Sequence, residues 1–324
     1  MLLVTGAAGL LGNTVLRTAT ARDLPARGWV RSAASLPALE DLPGDPVIAD
    51  ITTQDIKRTL ENVSAVIHCA ARVGIGRGDS AAFERDNVLA TERLAKACRA
   101  GGQRLIFVST VDTLRWGTPE DPGDEAAPTG PPRDTTYAAS KRRAEAVVAA
   151  EMALGLDAVI VHPAYLIGPW DWKPSSGRML LAAVRGPLGI APPGGNDFCH
   201  AGAVAATLLD LACAAARPPS DRYILTGEAM TYAEAFRLMR RVAGRRPHVV
   251  TAPERLVRLA GLAGDAMAAL TGREPVVNSA AADAACRPHH FTSARAIAEI
   301  GYRPRPAEEA IRDAWTWFRE RGYA

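Results

Sequence analysis

The chain has 324 residues, long enough to bury a large core as one large domain or two intimately packed ones. Its 38 Lys and Arg nearly balance 35 Asp and Glu, leaving a formal charge of +3, so no polyanion-binding patch is indicated and nucleic acid is not an expected partner. Cys69, Cys98, Cys199, Cys213 and Cys286 have no CxxC or other ligand spacing, and their odd number argues against a disulfide framework; they read as reduced cytosolic thiols packed as small apolar residues. The chain opens straight into a strand, leaving no room for a signal peptide, and no apolar run reaches membrane-spanning length, so a cytoplasmic protein without a membrane partner is expected. Adjacent His289 and His290 are poor geometry for a shared metal and read as a solvated loop, so no metal site is expected.

In chain order, Leu2 to Thr5 is an apolar run suited to a buried parallel strand. It leads into TGAAGLLG, in which Gly6 allows a tight turn, Gly9 lets backbone approach a pyrophosphate and Gly12 lets helix pack on strand. The helix opening at Leu10 and Leu11 would turn its N–H groups and positive end to the phosphates; a purely structural glycine turn is the competing reading. A second strand spans Trp29 to Arg31, in GWVRSAAS, and a third Val47 to Ala49, followed by Asp50 and Ile51. In dinucleotide folds an acid at the end of the second strand selects NAD, and a nearby Arg accommodates the 2′-phosphate of NADP. Here Arg31 and Ser32 occupy that place, with no acid before Glu40, which predicts NADP, with NAD left usable if Arg31 only stacks on the adenine or points into solvent.

Further strands follow at Val66 to Cys69, Leu105 to Ser109 and Val159 to His162, with helical patterns at Asn87 to Ala100 and Tyr137 to Met152. This alternation predicts an α/β fold, a Rossmann-type doubly wound parallel sheet. Trp116 to Thr135, rich in Pro, Gly and acids and including GPP at 130 to 132, is expected to be a loop over the carboxyl ends of the strands. Beyond His162 and Pro163 the prolines 169, 174, 187, 192 and 193 break the chain into loops and short helices, where a smaller substrate domain is placed. The expected division is 1–163 for the dinucleotide-binding domain and 164–324 mainly for substrate. Arg255 to Leu270 reads as a helix whose apolar face meets core or another subunit rather than a membrane.

Tyr137 and Lys141 stand four residues apart in TTYAASKRRAE. Moving a hydride onto a carbonyl carbon requires a proton for the oxygen, and a free tyrosine, with pKa ~10, exchanges one poorly at neutral pH. A lysine at i+4 lies on the same helical face and would favour the phenolate; a solvated Tyr/Lys face is the alternative.

With TGxxGxxG first, a mid-chain Ser or Thr next and YxxxK last, the chain resembles the extended short-chain dehydrogenase/reductase family, that is, the NAD-dependent epimerase/dehydratase proteins. VIHCAA at 66 to 71, NVLAT at 87 to 91, IFVST at 106 to 110, HPAYLIGPWD at 162 to 171 and FTSARAIAEIGYRPR at 291 to 305 extend the likeness nearly end to end. Within the family it is most similar to the dihydroflavonol-reductase-like and 3β-hydroxysteroid-dehydrogenase-like branch. The resemblance implies that Tyr137 is the acid/base, that Lys141 lowers its pKa and bonds the nicotinamide ribose, and that Thr110, with Ser109 as rival, holds the substrate oxygen. It implies that Asn87 organises the catalytic helix and its water, against a plain helix cap, and that Asp50 bonds the adenine, against a surface Asp. Ala70 and Ala71 would let the cofactor approach backbone closely, His68 and Cys69 being structural. It further implies that residues 200–228 return to the sheet, and that two long helices form a homodimer.

His162 and Pro163 replace the family's Arg-Pro pair, altering contacts near the nicotinamide carboxamide, and His200, lacking the acids usual beside it, is given no role. Asp112 follows Thr110 on the substrate side. In GPWDWKPSSGRM, residues 168 to 179, Trp170 and Trp172 are candidates for an apolar wall, with Arg178 or Lys173 as an anchor, against a loop merely packed on the surface. The expected activity is an NADP-dependent oxidoreductase acting on a ketone or aldehyde of a small organic molecule, or the reverse. A nucleotide-sugar epimerase or dehydratase using the same triad is the alternative, and a silent dinucleotide sensor the third.

Overall fold

The computed structural model describes residues 1–74, 79–126, 135–271 and 278–324, and its organising element is a seven-stranded sheet. β1 (Leu2–Thr5) is buried along its whole length, as a central parallel strand with helices on both faces must be. β2 (Ala26–Val30), β3 (Val47–Ile48), β4 (Ala65–His68), β5 (Arg104–Val108) and β6 (Ala158–Pro163) follow, each within a residue or three of its expected place. Thirteen strands are formed by the described residues, the others being β7 (Tyr165–Ile167), β8 (Gly189–Ala191), β9 (Gly195–His200), β10 (Arg222–Leu225), β11 (Glu228–Thr231), β12 (Val249–Thr251) and β13 (Pro288–His289). The large sheet runs β10-β6-β5-β4-β1-β2-β3, every neighbour parallel. Strand order reverses between β1 and β4, the point outside whose carboxyl ends such sheets bind ligands.

Alternation along each strand divides the core in two. Val4, Ile67, Val108 and Val161 face the helices Leu10–Ala21 and Ala201–Cys213, while Leu3, Val66, Phe107 and Ile160 face the helices Ala90–Gly101 and Thr136–Ala153. Sequence 201–225 thus does return to the sheet, as a helix and the edge strand β10.

Four expectations need correction. The helix expected from Asn87 begins about two turns earlier, at Ser80–Phe83, capped by Asp79; it passes through a π-helical segment, Glu84–Leu89, and continues as Ala90–Gly101. Asn87 is therefore not a cap. Beyond Pro163 the chain forms more than loops and helices: β7, β11 and β13 all pair with β9 in a second sheet, and β8 pairs with β12. Strands of two to six residues beside prolines carry too little alternation to be read locally, and distant partners complete them.

For the helix Glu254–Thr271 only the core alternative falls: it turns Gly261 and Gly264 inward, a Cβ on Gly261 coming within 2.7 Å of Ala282, while Leu256, Leu259, Met267 and Leu270 are exposed, which leaves contact with another subunit as the standing alternative. Finally, His289 and His290 are buried, not solvated. His289 packs at a tilt of 58° against Trp116, and His290 Nδ1 lies 2.7 Å from the buried Asp197 carboxylate, which also accepts from Phe291 N and Thr226 Oγ1. Bridges from Gly117 to His290 and from Gly123 to Phe291 pin the described part of the loop after β5 onto this segment. GPP at 130 to 132 lies outside the described residues. No helix among them is long and apolar enough to cross a membrane, and none of their His, Cys, Asp and Glu side chains group in threes to hold a metal ion.

Candidate active site

At the end of β1, Gly6 sits at φ +66°, and a Cβ there would lie 2.7 Å from Ala70 N; a Cβ on Gly12 would lie 2.3 Å from Gly6 O. The turn closes against β4 and the first helix only because both side chains are absent. Leu10 and Leu11 bury their side chains, so their backbone lies at the helix start, where Gly9 is exposed and no acid occupies the first turn. An open positive helix end beside the switch point fits the pyrophosphate of a dinucleotide, and Ala70 and Ala71 are small enough to let it pass.

Thr135 caps the helix Thr136–Ala153, its side chain accepting from Ala138 N, a contribution of about 1 kcal/mol that fixes the first turn around Tyr137. Thr110 ends the strand opposite. Its hydroxyl accepts from Asp112 N at 3.2 Å and lowers the Tyr137 pKa, whereas the rival Ser109 is turned away and bonded to Glu145. Asp112 stands beside Thr110 and faces Tyr137 electrostatically; burial raises its own pKa.

Lys141 is buried, donates to Val108 O at 2.7 Å and lies 4.2 Å from the Phe107 ring. Burial brings its ammonium down to about 8, opposed by the charge of Glu145. The expected direction for Tyr137 is corrected here: burial first, and the Asp112 charge second, push the phenol well above its ordinary value, and Thr110 pulls the other way. Lys141 does not hold it down in this arrangement, being engaged by Val108 O.

Asn87 links two parts of the site. Its Oδ1 accepts from Arg72 N at 2.6 Å, and its Nδ2 donates to Arg72 O and to Ser140 Oγ, which in turn donates to Tyr137 O. The segment following β4 is thereby tied to the first turn of the catalytic helix. A π-helical turn, a feature common at functional sites, places that side chain.

Below lies a buried polar chain. Thr91 Oγ1 donates its one proton to Asn87 O, so it must accept from His68 Nε2 at 3.1 Å; Nδ1 of the neutral ring is then left to accept from the Thr5 hydroxyl at 2.6 Å, and Thr5 Oγ1 itself accepts from Ala70 N. His68 is thus a neutral imidazole with its proton on Nε2, and burial brings its pKa down to about 3.

The remaining candidates fall into three places. At the adenosine end, Arg31 lies just past β2, exposed and 2.9 Å from Asp86; Ser32 is exposed at the start of a short 3-10 helix. Asp50 Oδ1 accepts from Thr52 N and Oγ1, tying the carboxylate into its own turn, and Ile51 is in the core. At the chemical end, His162 is fully buried beneath Thr110, its Nδ1 3.2 Å from Thr110 O and 3.6 Å from Glu145, so its side chain supports the strand end rather than opening to solvent; Pro163 follows in register with Leu225. In the third place, Trp170 and Trp172 pack edge-on against Trp317 of the helix Ala307–Glu320, Arg17 stacks on Trp170 and Arg321 on Trp172. Arg178 is exposed and donates to Ser175 O. These contacts are those of a packed loop.

Reading the sequence alone misses Glu145, although the spacing that links Tyr137 to Lys141 simply continues to it in YAASKRRAE. It also misses Tyr232, which is within electrostatic range of Asp112, pushed up to about 12 by burial, and has its hydroxyl 3.4 Å from Asn196 Nδ2. No local signal marks Tyr232, because β9 and the helix Tyr232–Val242 come together only in the fold.

The model of the NAD dependent epimerase/dehydratase family matches residues 2–209. The sterol demethylase protein B of Methylococcus capsulatus is 31% identical over 99% of this chain and 98% of its own. A 4-hydroxy-2-methyl-3-oxo-4-farnesyl-3,4-dihydroquinoline-1-oxide ketoreductase of Stigmatella aurantiaca is 29% identical over 82% of this chain and 79% of its own. The crystal structure of gox2253 superposes with a TM-score of 0.83 at 29% identity, covering 99% of this chain and 98% of that one. The chain belongs to the NAD dependent epimerase/dehydratase family, and is an NAD(P)-dependent oxidoreductase of the extended short-chain dehydrogenase/reductase type.

Proposed function

We propose that the protein is an NADP-dependent reductase of a ketone or aldehyde in a small or medium-sized organic molecule. The observation that carries this reading is the Thr110 hydroxyl, held by Asp112 N and lowering the Tyr137 pKa at the carboxyl end of β5, two strands from the glycine turn. Reduced cofactor, when bound, supplies the hydride. Tyr137 Oη donates a proton to the carbonyl oxygen as negative charge develops there, and the Thr110 hydroxyl donates a hydrogen bond to the same atom. Because burial keeps Tyr137 protonated, the acid needed for reduction is the form present at neutral pH. Lys141, one turn along, would turn from Val108 O to stabilise the resulting tyrosinate and bond the nicotinamide ribose. Asp112, Asn196 and Tyr232 give the substrate side a few polar groups. The names of the relatives, a ketoreductase and a sterol-processing protein, support carbonyl reduction of a largely apolar substrate.

A panel of ketones, aldehydes and alcohols assayed with NADPH and NADH, following absorbance of the reduced nicotinamide, tests this. Net oxidation of NADPH is expected. Cofactor retained through purification with no net turnover would instead indicate an epimerase or dehydratase.

A further inference from the structure

Asp86 lies in the π-helical segment, 8% exposed at its side chain, and accepts from three guanidinium groups. Arg31 Nη1 approaches its Oδ2 at 2.9 Å, and Arg72 approaches the same Oδ2 at 2.8 Å through Nη2 and 2.9 Å through Nε. Arg85 takes the other oxygen, Oδ1, at 2.8 and 2.9 Å. One carboxylate cannot neutralise three guanidinium charges. The surplus is directed outward, because the Arg31 and Arg72 side chains are 60% and 37% exposed above the largely covered Asp86.

Their origins give the cluster its meaning. Arg31 leaves β2, where the adenosine ribose of a bound dinucleotide comes to lie. Arg72 leaves β4, on the other side of β1, and its backbone is fixed at both N and O by Asn87. Two guanidinium groups that converge on one oxygen are spaced to share one small anion. Asp50, the other acid near Arg31, is committed to Thr52 and does not compete for that position.

We propose that Arg31 and Arg72 form a paired seat for the 2′-phosphate of NADP, with Asp86 as an internal competitor that holds both guanidinium groups in place until the phosphate takes a share of them. This rests on the NADP reading above and adds Arg72 and Asp86 to it. Arg85, bonded to the opposite oxygen, keeps Asp86 partnered when the other two turn outward. The paired seat exchanges one set of charge-assisted hydrogen bonds for another, so no buried charge is left alone.

Calorimetric titration with adenosine 2′,5′-bisphosphate and, separately, adenosine 5′-monophosphate isolates the 2′-phosphate without any hydride chemistry. Wild type is expected to bind the bisphosphate more tightly. Arg31→Gln and Arg72→Gln should each weaken the bisphosphate on the order of tenfold or more and leave the monophosphate unchanged. Arg85→Gln should weaken the bisphosphate far less than Arg72→Gln does and leave the monophosphate unchanged, and Asp86→Asn should tighten the bisphosphate several-fold. Melting curves establish that each variant is folded, and if Asp86→Asn is not, the contrast of Arg72→Gln with Arg85→Gln decides alone. Equal wild-type binding of the two nucleotides sinks the NADP reading itself. A preference lost in Arg31→Gln but kept in Arg72→Gln leaves that reading standing and overturns the paired seat. Equal losses in Arg72→Gln and Arg85→Gln would reduce the effect to general positive charge and overturn it as well. A folded Asp86→Asn with unchanged or weaker binding removes Asp86 as competitor.

Discussion

Two carboxylates, one at each end of the candidate cofactor track, are surrounded by cations in opposite ways. Asp86 lies at the solvent margin beneath Arg31, Arg72 and Arg85, all partly exposed. Glu145 is buried, bonded to Ser109, 3.6 Å from His162 and 4.0 Å from Arg222, one helical turn beyond Lys141. The Asp86 side chain is as covered as that of Glu145, 8% against 7% exposed, so the difference lies in its cations: guanidinium groups that stand largely in solvent can trade partners at little cost. A buried charge stripped of its partner costs about 3–5 kcal/mol, so it stays as folded. The adenosine end is thus adjustable by what binds there, whereas at the chemical end the charge is set in advance by the protein. That is the arrangement needed where charge develops during a reaction and reorganisation would add to the barrier.

The sharpest way to break this contrast is at the chemical end. Tyr137→Phe removes the proton donor while keeping the ring, and should lower kcat by ~10²–10⁴-fold with melting temperature and nucleotide affinity nearly unchanged. Thr110→Ser should retain much of the rate that Thr110→Ala loses. Steady-state kinetics beside melting curves check both, and near wild-type turnover of a folded Tyr137→Phe would end the mechanism.

How closed that end is can be read from acid stability. His68 and His289 are brought from 6.5 to about 3 and about 4, chiefly by burial. A histidine kept neutral by the fold takes up its proton more readily when unfolded. Stability is therefore complete above pH 6.5 and declines as pH falls toward 4, by on the order of 3 kcal/mol per fully uncoupled group. Denaturant midpoints measured across this window should fall steeply, and His289→Gln should flatten the slope. A flat profile in the wild type would mean these imidazoles are accessible to water.

Glu145→Gln tests the preset charge directly. Glu145 raises the Lys141 pKa against burial, so its removal should let the ammonium deprotonate below about 8. The alkaline limb of the kcat profile should move to lower pH, the rate at a fixed alkaline pH falling about tenfold for every pH unit the limb travels, with activity recovering as pH is lowered. Loss of rate by the same factor at every pH would assign Glu145 a purely structural part.

The parts legible in the sequence are those governed by short-range rules. LLVT before TGAAGLLG gives a buried strand, a tight turn and an open helix end within a dozen residues, and TTYAASK carries the face shared by Tyr137 and Lys141. What stays hidden depends on distant pairings. His289 and His290 look solvated until β13 lays them beside β9, and Asn87 looks like a cap until Asp79 starts its helix earlier and a π turn directs it to Ser140. The direction in which the Tyr137 pKa moves is hidden for the same reason: spacing shows that Lys141 shares its face, but not that Val108 O engages the ammonium and that Asp112 faces the phenol.

The smallest effect is expected outside both ends, in the segment 168–179. Its Trp170 and Trp172 are held by Trp317, Arg17 and Arg321, and Asp171 secures the turn by accepting from Ser175 N, Ser175 Oγ and Gly177 N. Arg178 is exposed, its Nε donating to Ser175 O at 3.3 Å and its charge felt by Asp171. Arg178→Ala should therefore alter stability by no more than about 0.5 kcal/mol and leave KM within about twofold for every active substrate. Trp172→Ala should instead lower the melting temperature and leave kcat/KM of the remaining folded enzyme unchanged, because the ring it loses packs on the C-terminal helix. A KM that rises sharply in Arg178→Ala for anionic substrates alone would bring this segment into the substrate site and show that the chemical end, too, keeps an adjustable charge.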